Sequence, residues 1–383
     1  MLTTSAFGSE DDPSEDSSVI VERTPDLQWL RARLHGHDRI DSLFDSDTYS
    51  PRPHPLSRIL VPEPLIAAWA PFAIRRTRRL ARRRPPDCVI TTSPPESAHL
   101  VGLKLARRGV PWVADLRDGW TFEPLRPRFP TAPQRRLDRR LEQQWLSAAN
   151  VVTCVSAPVA DDLRARGVAD PVVVPNGWDP DSIPSDAPGE APQLDPDRTS
   201  LVYTGRFGSY GRDPRGLLAG LRRLAGDEPS LASRLELAIA GPLTEAERDL
   251  FSTEVSPAKI TLLGSLERPD ALALQRSADA LLVLASARRS QLANLKLYEY
   301  LSAGRPILAL AEGTEAGRIA AEAGGAVVRA DDPGRISVAL ARLVRGEIAA
   351  PGAESRKRYA YPGVAEQMSD VVELAITRPA RRV

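Results

Sequence analysis

The chain has 383 residues, with 51 lysines and arginines against 50 aspartates and glutamates. Its length accommodates two domains, and a net charge of +1 gives no overall field that would draw it to nucleic acid. No apolar run reaches the roughly 20 residues that a membrane-crossing helix needs.

In chain order, Met1 to Ser5 reads as the end of a strand, and Gly8 to Ser18 as an acidic loop carrying Glu10, Asp11, Asp12, Glu15 and Asp16. Val19 to Arg23 is a short strand, followed by a weakly patterned stretch, 24–60, with a short helix from Asp26 to Leu34. Leu65 to Arg84 reads as a helix with an apolar start that includes Trp69 and Phe72. Pro71 either kinks it or marks its true beginning. Seven arginines fall between Arg75 and Arg84. They form a solvated helix face or, with the nearby Trp and Phe, an anchor on an anionic membrane surface over 65–84, and the sequence leaves both open.

Asp87 to Thr92 is the next strand, and Ser93 with two prolines opens a helix through Leu105. His99 lies in that helix's first turns, where core packing, capping and substrate contact are equally open. Pro111 to Leu116 is an apolar strand followed by Arg117 and Asp118. Alternation puts Asp115 and Arg117 on one face and Asp118 on the other. Charges at such a strand end commonly line a ligand crevice. Cys88 and Cys154 each sit in an apolar strand pattern, and two isolated thiols without a signal peptide point to a reducing cytosol. The other histidines, His35, His37 and His54, lie in polar surroundings. His35 and His37 beside Asp38 lack further ligands, so no metal site is expected.

Thr131 to Ser147 reads as a charged helix, Asn150 to Val155 as a strand and Ala157 to Arg166 as a helix. Residues 178–198, rich in Pro, Asp and Ser, read as a linker. A buried strand from Ser200 then runs into Gly205, Arg206 and Gly208, and glycine there would let a phosphate approach the backbone. Leu235 to Gly241 and Ile260 to Gly264 repeat the strand-to-glycine pattern, and Arg268 to Gln275 is a short helix. The strand Ala280 to Leu284 leads through a polar loop to a helix from about Asn294 to Ala303. Gly304 ends that helix, and Pro306 to Leu310 is the next strand. The rest is a late strand, Gly324 to Val328, a helix from Pro333 to Leu343 and a closing helix from Tyr359 to Ile376. In the βαβ unit around 280–310 the helix N-terminus offers free N–H groups to an anion. Lys296 and Glu299, three apart, share a face. The cation suits a phosphate, and the carboxylate can accept two hydrogen bonds from a ribose cis-diol. Spacing alone fits a solvated ion pair equally well.

Lys296-Leu-Tyr-Glu-Tyr-Leu-Ser-Ala-Gly-Arg-Pro-Ile-Leu-Ala309 resembles the nucleotide-sugar motif of retaining GT-B glycosyltransferases of the family-4 type. Ala114-Asp-Leu-Arg-Asp-Gly-Trp120 is similar to a motif of one subgroup, and Thr92-Ser-Pro-Pro with His99 strengthens that match. Pro175-Asn-Gly-Trp-Asp179 resembles the family's interdomain junction. The resemblance covers about 60–370 and implies an α/β fold of two doubly wound Rossmann-like domains facing a cleft. They would be 1–177 on the acceptor side and 199–358 on the donor side, with linker 178–198 and a returning helix 359–383. The family's first strand, glycine-rich loop and first helix have no counterpart here. A chain lacking that βα unit is expected to leave an unpaired sheet edge and to expose Val89 and Val113.

The resemblance implies that Glu299 binds the donor ribose and that Arg206 and Arg212 clamp the diphosphate. Gln291 stands where many members have a second glutamate, and Asn294 and Leu295 where a small residue and glycine are common. The donor-binding candidates are thus Arg206, Arg212, Gln291, Asn294, Leu295, Lys296 and Glu299. The candidate catalytic residues are His99, Asp118, Arg206 and Lys296, and the acceptor side would hold Ser93, His99, Asp115, Arg117, Asp118 and Asn176. The expected activity is sugar transfer, with retention, from a nucleotide-diphospho-sugar to a saccharide, lipid-linked or small-molecule acceptor. It would serve cell-envelope, polysaccharide or natural-product glycoside synthesis in the cytoplasm, without metal, cofactor or nucleic acid. A nucleotide-sugar-binding relative with weak or regulatory activity is the alternative. A GT-B epimerase would want more acidic and histidine side chains, and a Rossmann oxidoreductase a Gly-x-Gly-x-x-Gly turn that is absent.

Overall fold

The computed structural model describes residues 1–4, 19–27, 44–45, 50–51, 59–121, 128–181, 191–208, 212–254, 256–286 and 290–378. The acidic loop, most of the Asp26 to Leu34 helix, the His35 and His37 pair, His54 and the middle of the expected linker lie outside these residues. The chain divides into two compact units, one of Met1–Leu43, Pro51–Val174 and Gln367–Val383, the other of Phe44–Ser50 and Pro175–Glu366.

In the first unit, β1 (Leu2–Thr4) and β2 (Glu22–Thr24) form a parallel two-stranded sheet. Two-residue strands β3 (Phe44–Asp45) and β4 (Ser50–Pro51) form another pair, of which Phe44–Ser50 counts with the second unit. The expected helix over 65–84 is broken into α1 (Leu65–Ala68) and α2 (Ala70–Arg83), because Trp69 leaves helical geometry and Pro71 fits the first turn of α2. Trp69 is buried, donating its indole N–H to Thr24 at 2.9 Å, so this ring is a core residue and not a surface anchor.

The main sheet of this unit runs β5 (Val89–Ser93), β6 (Trp112–Leu116), β7 (Val151–Cys154), β8 (Val172–Val173), all parallel and in chain order. Its connections are α3 (Ala98–Ala106), α4 (Ala132–Ala148) and α5 (Ala157–Ala165). Strands that advance in one direction with right-handed crossovers place all three helices on one face. Among the described residues β5 is an edge strand, as expected, with Ile90 exposed and Val89 half-buried. The expected exposure of Val113 is corrected: its strand is flanked by β5 and β7, and the side chain is fully buried.

The second unit is a six-stranded parallel sheet. β9 (Thr199–Thr204) is followed by α6 (Arg215–Asp227), the single turn α7 (Pro229–Ala232), β10 (Leu235–Ala240), α8 (Glu245–Ser252) and β11 (Lys259–Gly264). Then come α9 (Arg268–Ser277), β12 (Ala280–Leu284), α10 (Leu295–Ala303), β13 (Ile307–Leu310), α11 (Glu315–Glu322) and β14 (Ala326–Val328). α12 (Pro333–Val344) and α13 (Ala353–Lys357) follow, and α14 (Gly363–Thr377), which from Gln367 onward counts with the first unit, closes the chain. The spatial order is β11-β10-β9-β12-β13-β14, so the chain builds outward from β9 and then reverses past it. Alternation gives each sheet face its own core: Leu201 and Tyr203 pack with α6 and α12, while Val202 packs with α10 and α11.

α6 lies close to the chain entering α12. A Cβ on Gly216 would stand 1.9 Å from the Ala330 carbonyl oxygen, and one on Gly220 2.3 Å from Ile336. Gly216→Ala is therefore expected to destabilise the chain by about 1–3 kcal/mol in urea unfolding. A midpoint unchanged or raised, as helix propensity alone would give, would show that this close approach does not hold.

Candidate donor site

In open parallel sheets ligands bind where the chain order reverses, outside the strand C-termini. In the second unit that point lies between β9 and β12, which are hydrogen-bonded neighbours. The expected donor residues leave the ends of these two strands.

β9 exits through Gly205, whose φ of 144° favours glycine and whose N–H donates to the Ala240 carbonyl at 2.8 Å. Arg206 follows with its side chain exposed, and its carbonyl accepts from the Tyr203 hydroxyl at 2.8 Å and from Arg212 Nη1 at 3.3 Å. Phe207 is fully buried and stacks on Tyr203 at 4.3 Å. An exposed guanidinium thus rises from an anchored backbone, with that of Arg212 beside its carbonyl.

β12 exits into a loop that Asn294 ties back. Its side chain donates to the Leu284 carbonyl at 3.3 Å and accepts the Leu297 N–H at 2.9 Å, capping α10. The donor-binding role expected of Asn294 meets a side chain already engaged at both ends. Leu295 is exposed and Gln291 half-buried in the loop. Gly304 closes the helix at φ 67°, the left-handed cap anticipated from the sequence.

Lys296 and Glu299 do pair, at 2.8 Å, but not as an isolated solvated pair. The Glu299 side chain is only 14% exposed and also accepts from Arg268 at 3.2 Å and, at a long 3.4 Å, from Gln275. Gln275 is fully buried and donates to Thr204 Oγ1 at 2.9 Å. The Tyr300 hydroxyl accepts the Thr204 N–H at 2.8 Å, and burial pushes this phenol's pKa up. Thr204, Gln275, Glu299 and Tyr300 therefore join the last residue of β9 to the first turns of α10. Sequence reasoning missed Thr204, Arg268, Gln275 and Tyr300. Tyr300 stands inside the Tyr-Glu-Tyr motif and could have been found there, but nothing in the sequence sets Gln275 apart.

The expected acceptor-side residues of the first unit gather at the ends of β5 and β6. Asp115 is buried and accepts from Thr153 at 2.6 Å, Arg117 at 2.8 Å and Thr92 at 3.3 Å. Arg117 shares its face, as alternation predicts. Ser93 is buried, Asp118 is half-buried, and Asn176 falls in the second unit. His99 departs from the exposed position that a catalytic or substrate-contacting role needs. It is fully buried, with its Nδ1 2.8 Å from Thr91 Oγ1 and its ring between Trp112 and Trp120 at 6.2 and 6.0 Å. Asp138 and Glu142 of α4 hold the Trp120-Thr121 segment in place, closing off the ring. Burial lowers the His99 pKa to about 3.

Residues 28–182 match the family model described as Glycosyltransferase Family 4. No curated protein matches the chain. Among solved structures, it is similar to an alpha,alpha-trehalose-phosphate synthase (UDP-forming) from Burkholderia vietnamiensis, at 15% identity and a TM-score of 0.53 over 82% of this chain and 77% of that one. A trehalose-6-phosphate synthase, studied for glycosyl transfer with retention, gives a TM-score of 0.53 at 14% identity over 78% of each chain. TarM gives 0.53 at 11% identity over 79% of this chain and 58% of that one. These likenesses show the GT-B fold of two Rossmann-like domains.

The placement of His99 has a measurable consequence. Its folded pKa lies below the ordinary 6.5, so its contribution to stability is complete above pH 6.5 and is lost as the pH falls from there toward 3. Between pH 6.5 and 4.5 the wild type is expected to lose about 1 kcal/mol per pH unit more than His99→Phe in urea unfolding. Parallel stability profiles would show that the ring is solvated.

Proposed function

We propose that this chain, which has the GT-B fold and over 28–182 the sequence pattern of family-4 glycosyltransferases, moves a sugar with retention from a nucleotide-diphospho-sugar to an acceptor. The carrying observation is the placement of Glu299 and two sets of cations at the one point where the second sheet reverses its order. In this reading the ribose cis-diol donates to the Glu299 carboxylate, which the buried Gln275 and Tyr300 network holds in place. The diphosphate takes Arg206, Lys296 and the N-terminal N–H groups of α10, with Arg212 as a further partner. Lys296 then exchanges a carboxylate for a phosphate. Charge grows on the leaving diphosphate as the glycosidic bond breaks, and fixed cations stabilise it there. No protein nucleophile is invoked.

Retention is supported by the solved relative studied for that outcome. The acceptor is a saccharide, a lipid-linked group or a small molecule, in envelope, polysaccharide or glycoside synthesis on the cytoplasmic side. The burial of His99 and the amide at Gln291 favour a second reading, a nucleotide-sugar binder with weak or regulatory activity. Release of nucleoside diphosphate from a panel of nucleotide-sugars, with and without acceptors, separates the two, and turnover is expected to survive EDTA.

Glu299→Ala removes one or two hydrogen bonds to a charged acceptor, each worth about 1.5–3 kcal/mol. Nucleoside diphosphate should then bind at least tenfold more weakly in calorimetry, and an unchanged affinity would remove Glu299 from the site. Nucleoside diphosphate should also outbind the bare nucleoside by a margin that narrows with salt. If Arg206→Ala and Lys296→Ala leave that margin intact, the phosphates bind elsewhere.

A further inference from the structure

The first unit carries a concentration of positive charge that the donor site does not use. Residues 60–174 hold 19 lysines and arginines against 11 aspartates and glutamates, in a chain whose net charge is only +1. α2 and its cap expose Arg75, Arg78, Arg79, Arg82, Arg83 and Arg84. α2 packs on α3, and α3 on α4, so the three helices lie side by side. α3 is largely buried and ends on exposed Arg107 and Arg108, while α4 exposes Arg136, Arg139 and Arg140. The carboxylates of α4 point the other way: Asp138 accepts from the Trp120 indole and Glu142 from Thr121, and both are buried. α2 and α3 contain no acidic residue at all. The layer thus shows eleven exposed arginines and no exposed carboxylate on its helices, and among the described residues none of these arginines forms an ion pair.

We infer that the outer face of α2, α3 and α4 is a docking surface for an anionic lipid bilayer. A solvated helix face usually intersperses both signs, as α11 does where Arg318 pairs with Glu315 and Glu322. Here one sign is spread over neighbouring helices, which suits a plane of anionic headgroups and not a single anion. Leu137, 46% exposed among Arg136, Arg139 and Arg140, gives the face an apolar contact for the headgroup boundary. Nucleic acid fits less well, since the aromatic rings of these helices, Phe72 and Trp145, are half-buried or buried and offer no stacking platform. The attachment is mainly electrostatic, because Trp69 is committed to the core.

The test is co-sedimentation of the full chain with phosphatidylcholine vesicles containing about a third phosphatidylglycerol, at about 0.1 M salt. Binding is expected, with little to pure phosphatidylcholine and steep loss as salt rises. The charge reversal Arg78→Glu/Arg82→Glu/Arg139→Glu should weaken it by about tenfold or more while nucleoside diphosphate affinity stays unchanged. Glu299→Ala should bind vesicles like the wild type, which keeps this inference separate from the donor site. Equal binding to neutral vesicles, no effect of the charge reversal, or retention by DNA without vesicle binding would each overturn it.

Discussion

The candidate site depends on the reversal of strand order between β9 and β12. A parallel sheet that grows one way and then the other must separate two crossover connections at that point, opening a crevice above adjacent strand ends. Here the two exits carry Arg206 from one side and Lys296 with Glu299 from the other. What keeps them in register is a buried polar bridge: Tyr300 and Gln275 reach Thr204, and Gln275 continues to Glu299.

That bridge bears on both stability and function. A buried amide is costly unless bonded, and among the described residues the Gln275 Oε1 atom has no hydrogen-bond partner. Replacing such a residue with a hydrocarbon would suit the core better but would release the carboxylate it orients. Glu299, with three donors around it, is held ready to accept. The neighbouring Asn294 makes a different contribution: its Oδ1 caps the helix and its Nδ2 ties back the loop, so it shapes the site.

Much of this was legible in the sequence. The apolar strands, the glycine cap at 304, the break at Pro71 and the shared face of Lys296 and Glu299 all follow from local pattern, which depends on near neighbours. The less legible features depend on residues distant in the chain. Whether Lys296 and Glu299 form a surface pair or part of a buried network is decided by Gln275 and Arg268, more than twenty residues away. His99 sits near a strand end, as its helix position implies, but Trp120 and the carboxylates of α4 seal it in. Whether Trp69 belongs to the core or to a membrane anchor was likewise open in the sequence, because its partner, Thr24, lies far back in the chain.

The first unit supplies a broad cationic layer and the second a compact set of groups suited to a nucleotide, so the two can be tested independently. The central claim is that the nucleotide sits at the β9–β12 reversal. A crystal structure of the chain with a bound nucleoside diphosphate tests this most directly. Both ribose hydroxyls are expected within hydrogen-bond distance of the Glu299 carboxylate, the diphosphate against Arg206 and the start of α10, and Lys296 turned from Glu299 toward phosphate. A nucleotide bound away from these strand ends, with the Lys296–Glu299 pair undisturbed, would contradict it.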